Sequence, residues 1–307
     1  MADETVESLK WSVRQRLEFI DFRLFWEGRV SRPDIAKVFG ISVQQASGDV
    51  QLYQQLAPGN MDYDVALKRY IRLPSFEPVF IINSADRQLL RMVALKNGWM
   101  SKDETWFDGL PPYEVVSLPR RTTDPLILLA VLDAIRLKQE IEVEYQSMTG
   151  TPHGVRKIAP HALSHSAGRW YIRAWSRDHN DFRDYQLSRI KRILSSNEVN
   201  IDLSLDYEWN HLIDLVIAPN PALSPAKQEA VAAEYNMIDN ELIMPIRLSL
   251  AFYLINEHNL DVEPGKLEPE KQQIVLTNKE QVKQAKDTTR EMARQALARA
   301  QRSNSQP

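Results

Sequence analysis

Apolar residues Leu9, Val13, Leu17, Ile20 and Leu24 recur at three- and four-residue spacing, which predicts an amphipathic helix over 8–27. After Gly28, Ser31 as N-cap and Pro33 in the first turn predict a short helix over 33–39, with Ile35, Ala36 and Phe39 inward and Gly40 as its stop. Ser42 caps a second helix over 43–56, whose inward positions are Val43, Ala46, Val50 and either Leu52 or Tyr53. Its outward positions, Gln44, Gln45, Ser47, Gly48 and Gln51, carry no large apolar group. Residues 61–73 read as a β-ribbon bearing Tyr63 and the run Lys68-Arg69-Tyr70-Ile71-Arg72. A further helix spans 84–97, with Leu89, Leu90, Met92 and Val93 as its apolar positions. A connector containing Pro111, Pro112 and Pro119 follows.

The second half changes period. A strongly apolar helix over 124–138, capped by Asp124 with Pro125 at its first position, leads into β-like runs at 140–146, 155–165, 168–176, 181–187 and 190–201. Turns at Thr149-Gly150, Ala167-Gly168 and His179-Asn180 join short strands, as in a small, strongly bent barrel. Within 169–176 the alternation puts Trp170, Ile172 and Ala174 on one face, and Arg169, Tyr171, Arg173 and Trp175 on the other. The first face suits a core. The second pairs cations with rings, a surface for an anionic, stackable partner or simply a solvated outer face. Beyond Asp206 come a strand-or-loop region, helices over 225–237 and 245–258, a strand near 272–276 and a charged helix over 279–301. The expected class is α+β, divided into 1–98, a linker at 99–123, a small β-barrel domain at 124–205 and an α/β extension at 206–307.

Helix, glycine turn, helix, with a small Ala46 at the crossing, is the helix-turn-helix pattern, and a basic ribbon after it makes a winged helix. Gln44, Gln45 and Ser47 are residue types that read base edges in a major groove. Lys68, Arg69 and Arg72 on the wing would hold phosphates of double-stranded DNA. With Ser42 at the helix cap, the expected DNA-contacting set is Ser42, Gln44, Gln45, Ser47, Lys68, Arg69 and Arg72. The first 72 residues balance at ten basic and ten acidic side chains, so specificity must come from base readout rather than from bulk charge.

Overall net charge is −3, yet His153–Ile193 holds nine Lys/Arg against three Asp, together with four of the six histidines. A basic patch inside an acidic chain points to a local anionic partner. The 307 residues contain no cysteine, which excludes disulfides and thiolate metal sites, and no apolar run long enough to span a bilayer. The N-terminus is acidic without an apolar targeting core, so a cytoplasmic protein is expected. His161 and His165 are four apart, but Pro160 and the alternation favour a strand, and nothing nearby completes a metal set. No phosphate loop, His-Glu-x-x-His or Gly-x-Ser-x-Gly motif is present, and adjacent Ser164 and His165 point to opposite strand faces. Neither an enzyme nor a bound cofactor or metal is expected.

Gly168-Arg169-Trp170-Tyr171-Ile172 resembles the signature of WYL-domain transcription regulators, with Ile in the third signature place where Leu is usual. Val143–Ser147, Ile158–Leu163, Phe182-Arg183 and Leu187–Ile190 agree with the same pattern. Winged helix, WYL domain and C-terminal extension together resemble the repressors found beside bacterial phage-defence operons of the BREX and CBASS type. That resemblance covers essentially the whole chain and includes Phe39-Gly40-Ile41-Ser42 followed by Gln45-Ala46-Ser47. It implies a homodimer that binds an inverted-repeat operator, a WYL barrel of Sm-like or SH3-like fold, and an extension that helps the dimer form. It also implies a pocket for an anionic effector, a nucleotide or single-stranded nucleic acid. The matching positions are Tyr145, Ser147, His161, Tyr171, Arg173, Arg183 and Arg189. Tyr145 alternates with Ile141 and Val143 and could equally be a core residue with a wet hydroxyl. Two other outcomes remain open from sequence: an activator switched on by single-stranded nucleic acid, and a nucleic-acid-binding accessory subunit of a defence complex.

Overall fold

The computed structural model describes residues 9–116, 122–148 and 153–303. The expected turn at Thr149-Gly150 and the acidic stretch Met1–Thr5 lie outside these residues. The chain forms two compact units, Met1–Pro119 and Arg120–Pro307.

In the first unit, helix α1 (Trp11–Glu27) ends at Gly28 in a left-handed conformation, and strand β1 (Arg29–Val30) follows. Helix α2 (Arg32–Phe39) is opened by a reciprocal capping box between Ser31 and Asp34 and closed by left-handed Gly40. Helix α3 (Val43–Leu56) is capped by Ser42, whose hydroxyl accepts from the Gln45 amide at 3.1 Å. Strands β2 (Met61–Asp64) and β3 (Arg69–Arg72) complete an antiparallel sheet in the order β1-β3-β2, so three helices and a ribbon make a winged helix. Leu17, Ile20, Leu24, Ile35, Ala46, Val50 and Tyr53 share one core. Tyr53 rather than Leu52 is the fully buried member of its pair. Val43, expected inward, is 51% exposed in the first turn of α3.

Two buried polar clamps fix this core. Arg16 donates from Nε and Nη2 to both carboxylate oxygens of Asp49, at 2.7 and 2.9 Å, tying α1 to α3. The Asp21 carboxylate accepts from the Tyr53 hydroxyl and from the amides of Val79, Phe80 and Ile81. Burial pushes the Asp21 carboxyl up from its ordinary value, and the four donors offset part of that shift. Helix α4 (Ala85–Lys96) leaves Leu89 and Leu90 exposed and Met92 and Val93 only half-buried, so its apolar stripe does not enter this core. Trp106 and Phe107, from the segment read as a connector, pack edge-on against Phe22.

In the second unit, helix α5 (Pro125–Leu137) covers a five-stranded antiparallel sheet of β4 (Gln139–Gln146), β5 (His153–Ser166), β6 (Arg169–Ser176), β7 (Asp181–Gln186) and β8 (Ile190–Glu198). The ladder order is β7-β6-β5-β4-β8. β7 and β8 stand at opposite ends of it, yet the single turn Leu187–Arg189 joins them and draws the two edges together. Register shifts in the β4–β8 and β5–β6 pairs supply the bending. Val131, Ile141, Val143, Ile158, Ile172 and Ile190 fill the concave side, each contributing roughly 1.5–3 kcal/mol by burial.

The extension begins with a short helix α6 (Tyr207–Asn210). It continues through β9 (Leu212–Pro219), α7 (Pro225–Glu234), β10 (Leu242–Arg247), α8 (Leu248–Glu257), β11 (Ile274–Leu276) and α9 (Lys279–Ser303). Its sheet runs β10-β9-β11, and Leu215, Ile217, Val231, Ala251 and Leu276 form a separate core. Residues 245–247, expected to be helical, are strand: they pair with β9, and the helix starts only at Leu248.

Candidate DNA interface and effector cleft

The clamps behind α3 leave its other face free. Gln44 and Gln45 are exposed, and Ser47 is half-buried with its hydroxyl donating to the Val43 carbonyl at 2.9 Å. Ser42 is occupied as the cap. The outward face of α3 therefore offers two amide side chains with both donor and acceptor capacity, the chemistry that pairs bidentately with adenine.

On the wing, Tyr63 and Tyr70 are cross-strand partners on β2 and β3, their rings tilted at 58° with centroids 5.0 Å apart. Arg32, not singled out from sequence, stacks over both rings at 5.6 and 6.0 Å. Lys68 holds a left-handed backbone (φ 52°) at the turn before β3, next to Arg69. Arg72 points elsewhere: its guanidinium donates to the Phe25 carbonyl, anchoring the wing to α1. Of the three wing cations, Lys68 and Arg69 form no side-chain hydrogen bond or ion pair among the described residues.

A cleft of about 1170 Å³ opens on the sheet of the second unit. Five of the seven residues matched to the WYL pocket line it: Tyr145, Ser147, Tyr171, Arg183 and Arg189. The Tyr145 ring belongs to the core, edge-on to Tyr185, while its hydroxyl accepts from the Gln186 amide at 3.0 Å and lies beside Arg189. The tyrosine thus packs its ring in the core and is also part of the cleft wall. Burial raises its hydroxyl pKa, so it serves as a neutral hydrogen-bonding group. Arg183 is half exposed, with Asp181 at 4.0 Å as a weak partner.

Arg173 and His161 are placed elsewhere. Arg173 is buried and donates from Nε and Nη2 to Asp206 at 2.8 and 2.7 Å, with Asp184 at 3.4 Å and Glu208 at 3.6 Å. Burial opposes its charge, but the Asp206 hydrogen bonds and the three carboxylates hold the guanidinium above its ordinary value. His161 Nε2 lies 2.9 Å from Asp206 Oδ2, and its ring is set edge-on between Phe182 and Trp209. A carboxylate can only accept, so Nε2 carries the proton. Despite burial, Arg173 and then His161 hold Asp206 below its ordinary value. These groups lock β5 and β6 to the start of the extension.

The aromatic-cationic face expected on β6 is accordingly half covered. Tyr171 lies under Tyr253 of α8, ring centroids 4.6 Å apart, and Trp175 packs on Phe182. Trp170, expected in the core, is 53% exposed beside His165, because it lies at the outer end of the strand. Arg156 and Arg169 also line the cleft; both fall in the basic window, which was the signal for them. Phe252 and Tyr253 of the extension form a further wall, and nothing local in sequence marks them. Among the described residues no cluster of three or more metal-ligating side chains occurs, and no helix is long and apolar enough to cross a membrane.

Residues 12–94 match the BrxR transcriptional regulator winged helix-turn-helix domain, 127–194 the WYL domain, and 212–282 the BrxR transcriptional regulator C-terminal dimerization domain. A DNA-binding transcriptional repressor CapW of Pseudomonas aeruginosa is 34% identical over 287 residues, covering 90% of this chain and 93% of its own. The CapW proteins of Stenotrophomonas maltophilia and Escherichia coli are 34% and 33% identical, covering 90% of this chain and 93% and 92% of theirs. The solved proteasome accessory factor B/C of Arthrobacter aurescens aligns with 94% of this chain and 54% of its own at 12% identity, with a TM-score of 0.24 that carries no weight for the fold. Three domain matches in the order of the three observed cores, and relatives similar along nearly their whole length, place this chain in the CapW family of winged-helix, WYL-domain transcriptional repressors.

Proposed function

We propose that the protein is a homodimeric, ligand-responsive repressor of a phage-defence operon, binding an inverted-repeat operator and acting without catalysis. The observation that carries the reading is the free polar face of α3, held outward by the buried Arg16–Asp49 and Asp21–Tyr53 clamps behind it. Gln44, Gln45 and Ser47 read bases from that face, while Lys68 and Arg69 touch flanking phosphates. A two-fold dimer matches a two-fold operator, and the match of 212–282 to a dimerization domain supports pairing through the extension.

The effector is an anion, a nucleotide or single-stranded nucleic acid, bound by Tyr145, Ser147, Tyr171, Arg183 and Arg189. Because Phe252 and Tyr253 wall the same cleft, a ligand there touches the WYL sheet and the extension together. It lowers operator affinity only as far as it prefers the arrangement that does not bind DNA. The relatives named as repressors support repression rather than activation. The test is a gel-shift titration at fixed salt on the DNA upstream of this protein's own gene, with and without short single strands and cyclic nucleotides. A specific shift reversed by one of them is expected. A shift that appears only with ligand would make the protein an activator, and no sequence preference under any condition would sink the reading.

A further inference from the structure

A second cleft, of about 530 Å³, lies wholly within the winged-helix unit, between α1 and the N-terminal half of α4. Its α1 residues, Arg14, Glu18, Phe22 and Trp26, fall on the helix face opposite Arg16 and Ile20, so it opens away from the recognition helix. Three features set its chemistry. Gln88 lines it, is 95% buried, and its side-chain Nε2 has no hydrogen-bond partner. A buried amide donor left unsatisfied costs the fold stability unless something fills the place.

Arg87 and Arg91 line the same cleft one helical turn apart. Like charges at this spacing destabilise a helix. Burial, and then the neighbouring Arg87, push the Arg91 guanidinium below its ordinary value, and its one described contact is the face of Phe22 at 5.8 Å. Neither arginine forms an ion pair among the described residues. The acids at hand are already engaged: Glu18 accepts from Arg14 and Gln15, and Glu104 accepts from the Ser101 amide.

We propose that this cleft is a phosphoryl-binding site in the DNA-binding head, taking free phosphate or the terminal phosphate of a nucleotide. A doubly charged oxyanion between Arg87 and Arg91 turns their repulsion into two charge-assisted pairs and accepts from Gln88 Nε2. Trp26 and Trp106, both half-buried, line the same cleft and give it aromatic walls beside which a base attached to that phosphate would lie.

Isothermal titration calorimetry on the full chain at low ionic strength tests this, with inorganic phosphate, adenosine 5′-monophosphate and adenosine as probes. Arg87→Gln/Arg91→Gln and Gln88→Met remove this site, and Arg183→Gln/Arg189→Gln disables the separate WYL cleft. With the WYL cleft disabled by Arg183→Gln/Arg189→Gln, saturable phosphate or nucleotide binding is expected to remain and to weaken at least tenfold when Arg87→Gln/Arg91→Gln is added, with adenosine silent. Tighter binding of the nucleotide than of phosphate supports the site as a nucleotide site; equal affinities support it as a free-phosphate site. Gln88→Met is expected to weaken binding while melting no lower than wild type, since it removes an unsatisfied donor. Binding that disappears only in Arg183→Gln/Arg189→Gln, or no saturable binding by any probe, overturns the proposal.

Discussion

Replacing Arg173 with Met separates two readings of that residue. Its position in the WYL pattern implies a ligand contact, whereas its bonds make it a strut. The guanidinium is 3% exposed, bidentate to Asp206 at 2.8 and 2.7 Å, and within 3.4 and 3.6 Å of Asp184 and Glu208. Removing it leaves Asp206 and Asp184 without their cation. Among the described residues, Asp206 then keeps only His161 and the Trp209 amide, and Asp184 only the Tyr253 hydroxyl, with its other carboxylate oxygen already without a partner. Breaking a buried pair on one side costs about 3–5 kcal/mol, because an uncompensated charge remains inside. At about 2–4 °C per kcal/mol for a unit of this size, the melting temperature falls by roughly 6–20 °C. Differential scanning calorimetry measures the loss. Arg173→Met/Asp206→Asn is expected to recover at least about 1 kcal/mol as a coupling energy, since the Asn side chain can keep the cap on Trp209 without a stranded charge. The reasoning is refuted if Arg173→Met melts within about 2 °C of wild type yet no longer responds to effector, for such a small shift corresponds to no more than about 1 kcal/mol.

Gln44→Ala/Gln45→Ala is expected to relax sequence preference, costing roughly 1–3 kcal/mol on the operator and little on unrelated DNA, as competition gel shifts will read. Arg69→Ala should weaken binding on all sequences alike and reduce the salt slope by about one; an effect on preference alone would remove the wing from the phosphates. For pH, Asp206 is held below its ordinary value when folded, so the unfolded chain takes up its proton first. Its stabilisation is therefore present above about pH 4 and is lost as pH falls through the folded-state value. Urea midpoints measured down to about pH 3 should fall less steeply in Asp206→Asn. Asp184, raised by burial, has the opposite sign: its contribution is fullest in acid and declines as pH rises through its folded value.

The sequence by itself determined the local elements and their chemistry. Ser31, Ser42, Asp124, Gly28 and Gly40 set helix ends through hydrogen bonds spanning a few residues, and those ends stand within a residue or two of expectation. The period-2 runs of the WYL sheet were legible for the same reason, as was the polar face of α3. Tertiary structure decided which face of each element was left for function. On β6 the alternation correctly put Tyr171 and Arg173 on the face away from Ile172, but α6 and α8, far along the chain, cover that face. A cation aimed at solvent by local rules then becomes a buried ion-pair partner of Asp206. Arg72 shows the same limit on the wing, where a carbonyl 47 residues distant takes its guanidinium. Pairing of β10 with β9 likewise turned residues 245–247 from an apparent helix start into a strand. Each of these outcomes depends on long-range partners whose positions follow from packing rather than from neighbouring residues, and no window along the chain contains them.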